Sequence, residues 1–113
     1  MVKISKSERR SCWEDSICEA IYEADEADKI DSSDEGTCNF DCAMVKKEKW
    51  FTYDETIEMF KKYGCFAHKT SKKGWLLVGK SIGQADRQTR WHKKFAKVLA
   101  ENGFTTSIYY QMD

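Results

Sequence analysis

The sequence predicts one small α+β domain in which an acidic helix precedes a run of alternating strands and helices. Two capping boxes, each followed by apolar residues at helical spacing, mark helices. Short aromatic and β-branched segments, separated by glycine and charged turns, mark strands. A length of 113 residues leaves room for a single core, and 41% hydrophobic with 13% aromatic residues is enough to fill it. That composition excludes wholesale disorder.

In chain order, Ser11-Cys12-Trp13-Glu14 fits a capping box, in which the serine oxygen and the N3 glutamate each satisfy an orphan backbone N–H. Trp13, Ile17, Ala20, Ile21, Ala24 and Ala27 then recur on one helical face. Glu14, Asp15, Glu19, Glu23, Asp25, Glu26 and Asp28 fall on the other. The spacing predicts an acidic amphipathic helix over about residues 12–29, stopped by the polar stretch Asp31–Gly36. Phe40, Cys42 and Met44 alternate with Asp41, Ala43 and Val45, which predicts a strand over 39–46, and Lys46–Lys49 is a charged connection. Thr52-Tyr53-Asp54-Glu55 is the second capping box, with Ile57, Phe60 and Tyr63 behind it and Gly64 placed as a left-handed C-cap, so a helix is expected over 53–63. Cys65–Thr70 and Trp75–Lys80 flank Ser71-Lys72-Lys73-Gly74 as a β-hairpin. A third helix runs from a cap in Ser81–Gln84 to Asn102-Gly103, and Phe104–Met112 is a closing strand.

After the first helix the order is β-α-β-β-α-β, that of a ferredoxin-like unit with a four-stranded antiparallel sheet and two helices on one face. Residues 37–113 are expected to form this unit. Residues 1–36 supply the acidic helix and loop, expected to cover part of the open sheet face or to dock at an edge.

The formal net charge of zero conceals a division. Residues 1–42 hold five Lys/Arg against twelve Asp/Glu, and residues 43–113 hold fourteen against seven, so the two parts carry −7 and +7. No apolar run approaches the roughly 20 residues of a membrane span, and the charged start of the chain has no apolar segment of a signal peptide behind it. Five cysteines (Cys12, Cys18, Cys38, Cys42 and Cys65), an odd number, read as reduced thiols, and the protein is expected in the cytoplasm.

Several motifs lose to a plainer reading. The cysteine spacings offer no CxxC and the histidines no H-x3-5-H, so no metal is expected. Asp31–Cys42 resembles part of an EF-hand loop, but Cys42 stands where its bidentate glutamate belongs. Gly74–Ser81 matches the phosphate-loop letters G-x-x-x-x-G-K-S, yet Trp75-Leu76-Leu77-Val78 reads as a strand whose N–H groups belong to a sheet. Lys73–Lys80 resembles the octapeptide on the third strand of an RNA-recognition motif, with Leu77 and Lys80 replacing its two stacking aromatics. His68 and His92 have no carboxylate or cysteine at a nucleophile–base spacing, so an enzyme working through Cys65 or a histidine is the least supported reading. No cofactor is expected.

Two charged helix faces are the candidate sites. Arg87, Arg90, Lys93, Lys94 and Lys97 fall within about one third of the third helix's circumference, opposite Trp91, Phe95, Val98 and Leu99. Such a stripe suits a phosphate backbone or an acidic protein surface. Glu19, Glu23, Asp25 and Glu26 on the first helix form the acidic counterpart, suited to mimic nucleic-acid charge against a basic partner.

Gly36–Asp41, Gly83–Arg90 and Ser107–Asp113 resemble segments of small proteins from phages and mobile elements of gut bacteria, over most of the chain from Gly36 onward. In size and style the chain is similar to anti-CRISPR inhibitors. That resemblance implies a non-enzymatic, monomeric or homodimeric protein that blocks a CRISPR effector or other defence nucleoprotein in the bacterial host. It assigns no individual residue. The alternative is an RNA-recognition-like domain that binds nucleic acid through the basic stripe.

Overall fold

In a computed structural model of the chain the described residues are 5–30, 42–80 and 85–109, with side chains described at 5–29, 42–80 and 90–108. The elements are α1 (Lys6–Ile30), β1 (Cys42–Lys46), α2 (Tyr53–Lys62), β2 (Phe66–Lys69), β3 (Trp75–Gly79), α3 (Ala85–Glu101) and β4 (Thr106–Tyr109). The four strands make one antiparallel sheet in the order β2-β3-β1-β4. The protein is therefore α+β, with three helices and a four-stranded antiparallel sheet. The Asp31–Gly36 loop, the EF-hand-like stretch up to Asp41, the Ser81–Gln84 cap and the expected end of the closing strand beyond Tyr109 lie outside the described residues.

Register fixes the two faces of the sheet. Ala43 pairs with Val78 and Val45 with Leu76 across β1 and β3, and Ala67 of β2 faces Val78. These side chains are buried and point to one face, because side chains alternate along a strand. Phe51, Met59, Phe60, Trp91, Phe95, Leu99 and Phe104 cover them, so the helices lie on this face. On the other face Met44 pairs with Leu77, Lys46 with Trp75 and His68 with Leu77. There Lys46 and His68 are exposed and Met44, Trp75 and Leu77 half-buried. Trp75–Gly79 pairs with strands on both sides, which commits its backbone to two ladders and leaves no phosphate cradle.

α2 is built as its sequence directs. Thr52 accepts from the Glu55 N–H, and the Glu55 carboxylate accepts from the Thr52 N–H at 2.9 Å. Its end is a Schellman motif, in which Cys65 N–H donates to Phe60 O and Gly64 N–H to Lys61 O. Gly64 has φ +87°, the left-handed conformation a glycine takes without a Cβ penalty. α3 closes the same way through Gly103 and Phe104.

α1 departs from expectation twice. It begins at Lys6, not near residue 12, because Ser5-Lys6-Ser7-Glu8 repeats the S-x-x-E pattern and the Ser5 oxygen accepts the Glu8 N–H at 3.2 Å. Ser11 is thus helix interior. Nor does α1 cover the open sheet face or dock at an edge. Its stripe of Trp13, Ile17, Ala20 and Ala24 is buried on the helical side, mainly along α3, where the alanines allow close approach. Trp13 anchors one end against Phe51 and Phe104, with ring centroids 5.5 and 4.0 Å away. Trp91 of α3 donates its indole N–H to Asp25 at 2.9 Å farther along.

Polar contacts tie α1 to α2. Lys6 pairs with Glu55 at 2.9 Å, and Glu14 accepts from Lys62 at 2.8 Å, from Tyr63 and from Arg10 at 3.0 Å. Lys62 first, then Tyr63 and Arg10, hold the Glu14 carboxyl at about 2 against an ordinary 4.5. Because folding lowers this group's proton affinity, its stabilisation is complete above pH 4.5 and is lost as pH falls toward 2. Glu14→Gln is expected to cost about 1–2 kcal/mol at pH 7, the lower end reflecting the exposed Lys62. In urea titrations the gap between variant and parent should narrow as pH falls through about 2 and close below it, where both side chains are neutral. A gap that persists there would show that Glu14 acts by packing, not by charge.

Among the described residues no helix is long and apolar enough to cross a membrane.

Candidate functional site

The two charged faces predicted on the helices do not have equal amounts of spare charge. On α1, Asp25 accepts from Trp91 and lies 3.9 Å from Lys80, while Glu26 is bound by Lys29 at 3.0 Å. These two carboxylates are at least partly committed to the fold. Glu19 is exposed and Glu23 half-buried, and neither forms an ion pair among the described residues. They stand one turn apart on the outer side of a helix whose inner side is buried. The acidic face thus narrows to Glu19 and Glu23.

On α3, Lys93 and Lys97 are exposed and Lys94 half-buried, with no ion pair to any of them among the described residues. They stand on the reverse of a helix whose Trp91, Phe95, Val98 and Leu99 are in the core. Arg90 is half-buried next to them, and Arg87 lies in the same helix with its side chain outside the described set. Burial of the apolar face holds the lysine ammoniums on one side of a rigid element.

No family model, no curated protein and no solved structure matches the chain.

Cys65 is buried, and loss of water raises its thiol to about 11, far from the thiolate a nucleophile needs. Cys12 and Cys18 are exposed on α1, while Cys42 is buried in the sheet. His92 is fully buried, and its Nε2 accepts the Lys80 N–H at 3.3 Å, which assigns that nitrogen as the unprotonated one. His68 is exposed and stacks on Phe66 at 5.8 Å. No group of three or more His, Cys, Asp and Glu side chains suited to a metal occurs among the described residues.

A third charged surface escapes a reading by single elements. Pairing of Lys46 with Trp75 brings the Lys46–Lys49 connection beside the Ser71–Gly74 turn at one end of the sheet. Lys46, Lys49, Lys69, Lys72 and Lys73 are all exposed there, with no ion pair among the described residues. Lys47 is used differently. Its ammonium donates to the Phe51 carbonyl at 2.8 Å and lies over the Tyr53 ring. Tyr53 in turn accepts the Gly74 N–H at 2.6 Å, pinning the hairpin turn to the start of α2.

Proposed function

We propose that the protein is a non-enzymatic binding module that meets a nucleoprotein through the charged outer faces of α1 and α3. One observation carries the reading: Lys93, Lys94 and Lys97, with Glu19 and Glu23, form no ion pair among the described residues. Neighbouring charges such as Glu14, Asp25 and Lys6 have intramolecular partners. Charge held on a packed helix and left uncompensated is suited to partner choice and fast association. A phage or mobile-element inhibitor that occupies a host defence complex in the bacterial cytoplasm fits this description. The order β2-β3-β1-β4, with β3 inserted between β1 and β2, supports a ferredoxin-like reading of residues 42–109, with α1 added on its helical side.

The test is affinity capture from a bacterial lysate with three baits: the parent chain, Glu19→Lys/Glu23→Lys, and Lys93→Glu/Lys94→Glu/Lys97→Glu. Charge reversal on one face should abolish recovery of a nucleoprotein while the melting temperature stays within a few degrees. Capture undiminished by either reversal would sink the proposal.

The lysines of α3 also favour a second reading, direct contact with nucleic acid. In that case a gel shift with duplex DNA weakens as salt rises, and Lys93→Gln/Lys94→Gln/Lys97→Gln lowers the salt slope by about 3. No shift at low salt would eliminate it.

A further inference from the structure

We infer that the lysine-rich end of the sheet face opposite the described helices is a binding site for single-stranded nucleic acid, separate from the helix stripes. The helices described above occupy one side of the sheet, so Met44, Trp75 and Leu77 keep part of their apolar surface on the other. A cleft of about 360 Å³ opens between the middle of this face and the hairpin, lined by Met44, Leu77, Lys69, Thr70, Ser71 and Lys72. A second of about 320 Å³ is lined by Lys46, Lys47, Glu48, Lys49 and Thr105. Each falls within the size range of small-ligand sites.

Charge and shape point to the same occupant. Lys46, Lys49, Lys69, Lys72 and Lys73 gather around the two clefts, with Glu48 the one carboxylate among residues 46–49 and 69–73. The Lys72 ammonium lies over the Trp75 ring, 4.8 Å from its centroid, so a base that stacks on that side displaces a flexible ammonium toward its own phosphate. Phosphates suit the cations, and an unpaired base suits the ring and the apolar floor of the cleft. A single strand offers both within one nucleotide. Duplex DNA hides its base faces in the stack, and an acidic peptide has no flat aromatic surface to match the ring. The hairpin is built to hold its shape, because Thr70 Oγ1 accepts the Lys72 N–H at 3.0 Å and the Gly74 N–H is held by Tyr53. Little ordering is then required of it on binding.

Fluorescence anisotropy of labelled twelve-nucleotide oligo(dT) and oligo(U) tests the assignment, using the full chain between 50 and 200 mM salt. With three to four phosphates neutralised, affinity should fall roughly twenty- to fifty-fold over that range. Lys46→Gln/Lys72→Gln/Lys73→Gln should lose most of the binding. Trp75→Leu, which keeps an apolar side chain in the strand, should lose at least about fivefold and remove the quenching of tryptophan fluorescence by the oligonucleotide. Repeated in the Lys93→Gln/Lys94→Gln/Lys97→Gln background, where α3 no longer offers its lysines, the measurements should still show a preference for single strands over duplex, so the sheet site and the α3 reading fail separately. The melting temperature of each variant, within a few degrees of the parent, shows that the fold is retained. The inference is overturned by absence of binding at 50 mM salt, by equal binding of a twelve-base-pair duplex, by equal competition from poly-glutamate, or by loss of binding only in the α3 variant.

Discussion

Gly79→Ala is expected to cost about 3–5 kcal/mol, a large part of the roughly 5–15 kcal/mol that holds a domain folded. Two effects combine. Gly79 has φ +156°, a region that side-chain-bearing residues rarely enter. A Cβ there would also stand 2.1 Å from His92 Nε2 and 2.4 Å from its Cδ2, far inside van der Waals contact. His92 cannot withdraw freely, since it is fully buried and its ring packs edge-on against Trp91 at 4.9 Å. Relief therefore requires moving either α3 or the end of β3, and the hydrogen bond from Lys80 N–H to His92 is lost with it. Gly64→Ala separates the two effects. It places an alanine at φ +87° with its nearest neighbour 3.9 Å away, and should cost only about 1–2 kcal/mol. Urea titration measures all of these, and His92→Ala in the Gly79→Ala background should recover the steric part. A cost of less than about 1 kcal/mol for Gly79→Ala would show that β3 and α3 are not packed this closely.

That contact also shows where sequence reasoning stops. Gly79 was conspicuous in the sequence only as a letter of a phosphate-loop pattern, and its role depends on a histidine thirteen positions on, beyond residues 81–84. Local signals were legible wherever the determinant was local. Thr52-Tyr53-Asp54-Glu55 set the start of α2 and Gly64 its end, and the alternation around Met44 and the hairpin pattern around Gly74 marked strands that formed. The start of α1 is hard to place from the sequence because three S-x-x-E patterns, at Ser5, Ser11 and Ser16, stand in series, and residues 6–30 contain no glycine or proline to break the helix between them. The candidate surfaces follow the same rule. A helical wheel sorts the charges into faces, but it cannot tell that Asp25 is taken by Trp91, which lies 66 positions away, while Glu19 has no such partner among the described residues. The lysine cluster was invisible for a related reason. Lys46–Lys49 and Lys69–Lys73 belong to separate connections, and only the β1–β3 register joins them.

Trp13→Ala is expected to cost about 3–5 kcal/mol and to release α1 from the rest of the domain. Trp13 is 7% exposed and stands where three elements meet: α1, the segment before α2 at Phe51 and the segment before β4 at Phe104. The rest of the buried stripe is smaller, with Ile17 beside Ala20 and Ala24, so Trp13 supplies much of the apolar area by which α1 is held. The polar contacts across the α1–α2 seam do not replace it, since Lys6 and Lys62 are more than half exposed and such pairs contribute at most about 1 kcal/mol each. Loss of α1 in turn uncovers Trp91, Phe95 and the neighbouring apolar surface of α3. The variant should therefore show more than a lower urea midpoint. Amide exchange should accelerate first along Lys6–Ile30, and protease cleavage between α1 and β1 should precede cleavage of the sheet. If α1 were an accessory element resting on a core complete without it, Trp13→Ala would change exchange in α1 and leave the midpoint of the sheet unmoved. A lowered midpoint of the sheet alongside faster exchange in α1 would establish that the first helix and the α/β unit share one core, and that the Glu19–Glu23 face is presented by a rigid part of the molecule.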